Sequence, residues 1–253
     1  MLLLLDIGNT HTHLGLVKCE TIIRTCDMPT TSWSDGTAEK RIERFVRQEE
    51  LSDISLCSVV PAMTAEALTL ARVLGLRVFE LNSKTIAGIG IDYPNPRRIG
   101  PDRLANSLAA FITWGAPVVV VDFGTAVTFD VVNRTGYYIG GIIAPGLSAM
   151  TSYLHEKTAL LPKIRIRETD AVVGRNTREA MLIGAVHGYR GLIKELLKNL
   201  RQELGVRQLR IVATGGYAAL MASKLPEIQE VRPTLTLEGL WLAWKNQTKR
   251  TSD

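Results

Sequence analysis

The 253-residue chain predicts an α/β fold built from two copies of one unit. Two observations carry this. Apolar runs of strand length alternate with longer helix-patterned stretches. One motif, an apolar run closed by Asp-x-Gly and small polar residues, occurs twice, as LLLLDIGNTHTHLGLV and VVVVDFGTAVTFDVV. The copies align Asp6 with Asp122, Gly8 with Gly124 and Thr12 with Thr128, at an offset of 116 residues that is close to half the chain. The expected domains are 1–114 and 115–253, with the active site in the cleft between them, near residues 113–117.

The elements follow from local pattern. Leu2–Asp6 reads as a buried strand, and Leu14–Lys18 and Thr21–Met28 as two more in an antiparallel start. Asp35–Glu50 is rich in charge and helix formers, with Ile42, Phe45 and Val46 on one face. Ile54–Val60 reads as a strand, Ala62–Leu74 as a helix and Arg77–Leu81 as a short strand. Residues 82–100, with three glycines and two prolines, read as a loop. Pro101 suits the first position of a helix, and Asp102 follows where a carboxylate favours the helix dipole. Leu104, Leu108, Phe111 and Ile112 form that helix's apolar side. In the second half Val118–Asp122 and Tyr137–Ile143 read as strands and Thr177–Leu204 as a long helix. Gln208–Ala213 is a strand leading into Thr214-Gly215-Gly216. Leu235–Lys245 is a closing amphipathic helix, and the polar, basic tail Lys245–Asp253 is expected to fray.

Composition narrows the function classes. The chain is 46% hydrophobic and 22% charged with no low-complexity tract, which fits a globular protein rather than a disordered one. MLLLL is too short for a signal-peptide core, no basic segment precedes it, and no apolar run approaches the roughly 20 residues of a spanning helix. A cytoplasmic protein without a membrane partner is expected. Cys19, Cys26 and Cys57 lack C-x-x-C spacing and read as reduced structural thiols rather than a zinc site. The net charge of +5 is spread among acidic residues, as in Glu39–Arg44, so a solvated helix face is expected and not a nucleic-acid surface. A mild positive balance also suits anionic small molecules such as nucleotides.

A buried strand that ends in a carboxylate needs a reason, because burying an unpaired charge is costly. At an exposed strand end the carboxylate can face a ligand's cation, and the glycine lets backbone approach the ligand closely. Asn9, Thr10 and Thr12 add short donors of the kind that cradle phosphate oxygens. The alternative is an ordinary hairpin turn. Two copies at strand ends, with the late strand–Ala-Thr-Gly-Gly–helix element, favour nucleotide binding. Neither a P-loop nor G-x-G-x-x-G occurs at a strand–helix junction.

Asp6-Ile-Gly-Asn-Thr10, Asp122-Phe-Gly-Thr-Ala126 and Gly215-Gly216 resemble the two phosphate motifs and the adenosine motif of the acetate/sugar kinase, heat-shock chaperone and actin superfamily. That resemblance implies two duplicated ribonuclease-H-like (actin-like ATPase) domains. Within it the chain is similar to the type III pantothenate kinase family. Tyr93-Pro-Asn-Pro96, Gly100-Pro-Asp-Arg103, Gly140-Gly-Ile-Ile-Ala-Pro-Gly146, Thr177 and Leu237-Glu-Gly-Leu240 follow in the family's order. The resemblance implies an ATP-dependent transferase that phosphorylates pantothenate to 4'-phosphopantothenate, the first step of coenzyme A biosynthesis. It implies Asp102 as catalytic base and Asp6, Ile7, Gly8, Asn9, Thr10, His11, Thr12, His13, Thr125, Gly215 and Gly216 as ATP contacts. Tyr93, Gly100, Pro101, Asp102, Arg103 and Thr177 would contact pantothenate, and Asp122 would hold a monovalent cation, K⁺ or NH₄⁺. Mg²⁺ is expected with ATP, and a homodimer is expected, with Met181–Leu197 as one source of contact area. His11 and His13, two apart on a strand, share a face, but no third metal ligand is evident. The alternatives are another superfamily enzyme, a sugar kinase or an exopolyphosphatase, and a non-catalytic regulatory or accessory protein on the same fold.

Overall fold

The computed structural model describes residues 1–47 and 49–250. It divides into two compact units. The first takes Met1–Gly115, Gly136–Ile139 and the stretch from Thr234; the second takes Ala116–Thr135 and Gly140–Pro233.

The first unit holds the strands β1 (Leu2–Ile7), β2 (His11–Lys18), β3 (Thr21–Pro29), β4 (Asp53–Ser58) and β5 (Arg77–Glu80), in the order β3-β2-β1-β4-β5. The hairpin partners β1/β2 and β2/β3 are antiparallel, and β1/β4 and β4/β5 are parallel. Its helices are α1 (Thr31–Ser34), α2 (Ala38–Val46), α3 (Pro61–Val73), α4 (Pro101–Trp114) and, from far down the chain, α8 (Leu235–Arg250). β1 is central and buried on both faces, which is why it reads as an unbroken leucine run rather than an alternation. Leu3, Leu5 and Ile7 pack with Ile42 and Phe45 of α2 and with Ala67 and Ala71 of α3. Leu2 and Leu4 pack on the other face with Ala105 and Leu108 of α4 and Leu237 and Leu240 of α8. Each fully buried leucine contributes about 1.5–3 kcal/mol. Helices α4 and α8 approach so closely at Gly239 that a Cβ there would run into the Ala105 backbone.

The loop expected over 82–100 carries a short strand, β6 (Gly90–Ile91), and a 3-10 turn over Pro96–Arg98. β6 pairs in parallel with Tyr137 and Tyr138. Residues 234–253, read from the sequence with the second domain, begin inside the first unit. α8 runs to Arg250, five residues past its expected end, and the rest of the tail expected to fray lies outside the described residues.

The second unit holds β7 (Val118–Phe123), β8 (Ala126–Val132), β9 (Tyr137–Pro145), β10 (Arg210–Thr214) and β11 (Glu230–Val231). β9 begins in the first unit. Their order, β11-β10-β7-β8-β9, repeats that of the first unit, with β7/β8 antiparallel and β7/β10 and β10/β11 parallel. The helices are α5 (Leu147–Lys157), α6 (Thr177–Glu203) and α7 (Ala218–Ala222). α6 turns Leu182, Val186, Tyr189, Ile193 and Leu197 into the core at helical spacing.

The register refines the repeat. In the first hairpin Asp6 pairs with His13 and Ile7 with Thr12; in the second Asp122 pairs with Thr128 and Phe123 with Val127. The second loop is therefore one residue shorter. The offset of 116 holds through Asp-x-Gly, and beyond it Thr128 is the counterpart of His13 rather than of Thr12.

Candidate active site

The first Asp-x-Gly loop is a tight hairpin. The Gly8 N–H donates to the His11 carbonyl at 3.0 Å, and a Cβ on Gly8 would sit 3.0 Å from that oxygen. Ile7 and Thr12 are fully buried. The Thr12 hydroxyl accepts from the Trp33 indole at 3.1 Å and lies 3.3 Å from the Thr30 hydroxyl, which donates to the Gly8 carbonyl at 2.7 Å. These two predicted ATP contacts therefore support the loop from within. Asn9, Thr10 and His11 are its exposed side chains. His13 is held by Asp27, with 2.7 Å between Nδ1 and Oδ1. Among the described residues no three His, Cys, Asp or Glu side chains gather as a metal group.

Alternation along β1 places Asp6 on the Leu2/Leu4 face, the face covered by α4. Asp6 is 8% exposed, and its Oδ1 accepts from the Cys57 thiol at 3.3 Å. Cys57 is wholly buried on β4. Burial first, then the carboxylates of Asp6 and Asp102, push its thiol well above the ordinary range, so it stays S–H. Asp102 begins the first turn of α4, after Gly100 at the cap and Pro101 at the first helical position. Its Oδ1 accepts from the Arg103 N–H at 2.9 Å. Burial raises its carboxyl above the ordinary value, against the lowering effects of that hydrogen bond and of the Arg103 charge. A Cβ on Gly100 would collide with Asp102 Oδ1. Asp6, Cys57 and Asp102 thus share one neighbourhood of the first unit.

The predicted substrate segment has a partner that pattern alone did not single out. The Arg103 guanidinium lies over the ring of Tyr138, 5.9 Å from its centroid, and the Tyr93 ring is 6.2 Å from the same ring. Tyr138 is 1% exposed and packs with Ile99 and Leu104. Its signal in the sequence is faint: an aromatic on the buried face of the strand that runs into Gly140-Gly141.

In the second unit Asp122 stands one residue before the end of β7, and Thr125 is exposed at the hairpin tip. Gly146 abuts the carbonyls of Gly124 and Thr125, leaving no room for a Cβ, so the start of α5 closes on this loop. Gly215 has φ +89°, and a Cβ there would lie 2.5 Å from Asp122 Oδ1 and 2.7 Å from the Phe123 backbone. Its missing side chain makes way for the carboxylate; Gly216 faces open space. Tyr217 and Ser148 hydrogen-bond at 2.8 Å beside a cavity of about 540 Å³ lined also by Ser152, Lys163 and Arg165. Thr177 is the exposed first residue of α6, which Asn176 caps by accepting from the Glu179 N–H at 3.0 Å.

Residues 2–199 match a family model described as type III pantothenate kinase. The chain is 43% identical over 250 residues to a type III pantothenate kinase of Methylacidiphilum infernorum (isolate V4), covering 98% of this chain and 90% of that one. It is 46% identical over 241 residues to a type III pantothenate kinase of Akkermansia muciniphila, covering 95% and 97%. Among solved structures, MreB 5 of Spiroplasma citri bound to AMPPNP aligns with a TM-score of 0.54 at 11% identity, covering 99% and 98%. At that identity the likeness is one of fold, and it is the actin-like ATPase fold.

Proposed function

Because the chain belongs to the type III pantothenate kinase family, which phosphorylates pantothenate with ATP on the way to coenzyme A, we propose how its residues divide that reaction. Asp102 is the general base. As the primary hydroxyl of pantothenate attacks the γ-phosphorus, its proton passes to the Asp102 carboxylate and ADP leaves. The observation that carries this is the raised carboxyl of Asp102, partly buried at the start of α4 in the neighbourhood of Asp6. A carboxylate made more basic by burial is a better acceptor near neutral pH. Steady-state assay of Asp102→Asn with ATP and pantothenate tests it.

The first loop binds ATP through Gly8, Asn9, Thr10, His11 and the backbone, with Asp6 toward the phosphates and Ile7, Thr12 and His13 holding its shape. Thr125 is a second phosphate contact, and Gly215 and Gly216 are adenosine contacts. Arg103, steadied on Tyr138, pairs with the pantothenate carboxylate, with Tyr93, Gly100, Pro101 and Thr177 around the substrate. Asp122 holds K⁺ or NH₄⁺, and Mg²⁺ accompanies ATP. The donor set fits these roles: a carboxylate oxygen is a hard ligand that suits cations taking their other ligands from phosphate, backbone carbonyls and water. When bound, the cations offset phosphate charge.

A homodimer with pantothenate near the subunit boundary is also part of this reading. The apolar side chains of Met181–Leu197 belong mostly to the second unit's own core. Exposed apolar surface lies instead upstream of Thr177, at Ile143, Tyr153, Leu160, Val172 and Val173, each more than 60% exposed. These exposed side chains are our candidates for contact with the second copy. Among the described residues no helix is long and apolar enough to cross a membrane, and we place the enzyme in the cytoplasm.

A further inference from the structure

We propose that Cys57 is a positioning residue for Asp6: its buried thiol donates to the carboxylate and fixes the orientation in which Asp6 meets ATP. The proposal rests on the ATP role given to the first loop. Cys57 stands opposite Asp6 in the parallel β1/β4 register, is 0% exposed, and its Sγ lies 3.3 Å from Asp6 Oδ1.

The second unit supplies an independent parallel. There the residue opposite Asp122, in the parallel β7/β10 register, is Thr214, also a small side chain with a donor and 2% exposed. Each Asp-x-Gly carboxylate thus has a buried S–H or O–H residue at the same place on the next strand. A packing requirement alone is met by alanine or valine. Two different donor side chains at matched positions point to a requirement for the proton.

A thiol suits this task. It is a weak donor, so it orients the carboxylate without competing strongly for its charge. Enclosed by protein and flanked by two carboxylates, it stays neutral and keeps its proton for that hydrogen bond.

The test uses the full-length protein and its Cys57→Ala, Cys57→Ser and Asp6→Asn variants, reading MgATP affinity by calorimetry and KM for each substrate. Cys57→Ala is expected to weaken MgATP binding and raise KM for ATP by about three- to tenfold, as for loss of one modest hydrogen bond to a charged group. KM for pantothenate stays within about twofold, and Cys57→Ser restores the ATP values. An unchanged Cys57→Ala protein, or alanine and serine variants displaced alike, overturns the proposal. If Asp6→Asn binds MgATP like the parent, the ATP role of the loop is wrong and this proposal falls with it. If Asp6→Asn loses affinity and Cys57→Ala does not, only the Cys57 proposal fails. Should Cys57→Ala not fold, infrared spectra of the Cys19→Ser/Cys26→Ser protein follow the single S–H stretch. A band that moves on adding MgATP is expected, and an unmoved band overturns the proposal.

Discussion

As the proposed base, Asp102 would serve catalysis at the expense of stability. Its carboxyl is raised in the folded state, so the native protein binds that proton more tightly than the unfolded chain. The stabilising contribution of the protonated acid is full below the unfolded pKa and is lost as pH rises through the folded one. At pH 7 Asp102→Asn is therefore expected to raise the melting temperature, measured by scanning calorimetry, while slowing turnover about 10²–10⁴-fold. That range is roughly 3–5 kcal/mol of barrier, against about 0.3–1 kcal/mol for a carboxylate that only meets a helix dipole. A folded Asp102→Asn enzyme within tenfold of wild-type turnover would relocate the base. The acid limb of the kcat/KM profile should turn above the ordinary carboxylate range and vanish in this variant. Gly215→Ala makes a second point: at φ +89° with Asp122 in the way, a methyl group should cost about 1–3 kcal/mol and raise the K⁺ needed for activity. Denaturant melts and K⁺ titrations of the rate check both. Asp6 and Asp102 were legible because each stands in a contiguous motif. Cys57 and Tyr138 were not, since each meets its partner from an element distant in the chain: Cys57 of β4 meets Asp6 of β1, and Tyr138 of β9 meets Arg103 of α4. That Ile7 and Thr12 face inward required the hairpin register and Trp33.

Among the elements, β1, β7 and α6 announced themselves by long apolar pattern, whereas α5 did not. Its sequence LSAMTSYLHEK carries Ser148, Thr151 and Ser152, modest helix formers, and buries only Leu147 and Thr151. It is a helix because Gly146 seats its start against the second hairpin. The extended segment between α5 and α6 is likewise fixed by tertiary contacts. Glu168 takes two bonds from the buried Arg190, at 3.0 and 2.5 Å, and Arg190 also donates to the Leu220 carbonyl. Lys224 adds an ion pair to Asp170. Hydrogen bonding to Arg190, the largest effect, holds the Glu168 carboxyl at about 2 against an ordinary 4.5. This contribution is present above the unfolded pKa and is lost as pH falls from about 4.5 to about 2. Glu168→Gln should cost about 1–2 kcal/mol at pH 7, below the 3–5 of a broken buried pair because Glu168 is partly exposed. The difference from wild type should shrink in acid melts.

On the scale of the molecule, the repeat read from two Asp-x-Gly motifs became two sheets that share one five-strand order, the second extended by β6 beside β9. What could not be read was which unit would claim the last helix, since amphipathic pattern gives a helix its face but not its partner. If the apolar stretch from Ile143 to Val173 seats a second copy, a Tyr153→Glu/Leu160→Glu protein should sediment as a monomer where the parent is a dimer. Wild-type sedimentation of the pair would exclude Tyr153 and Leu160 from the contact.

Helix α8 also bears on the order of synthesis. The Ser55 hydroxyl donates to the Leu240 carbonyl across 185 residues, and Leu237, Leu240 and Ala243 complete the face of the first sheet that holds Leu2 and Leu4. A ribosome that has released residues 1–115 has made every strand of that sheet and α4, but not α8, the other half of the cover on that face. The nascent chain must carry a leucine surface only partly covered by α4 through translation of the whole second unit, so the unit begun first is sealed after the other has been made.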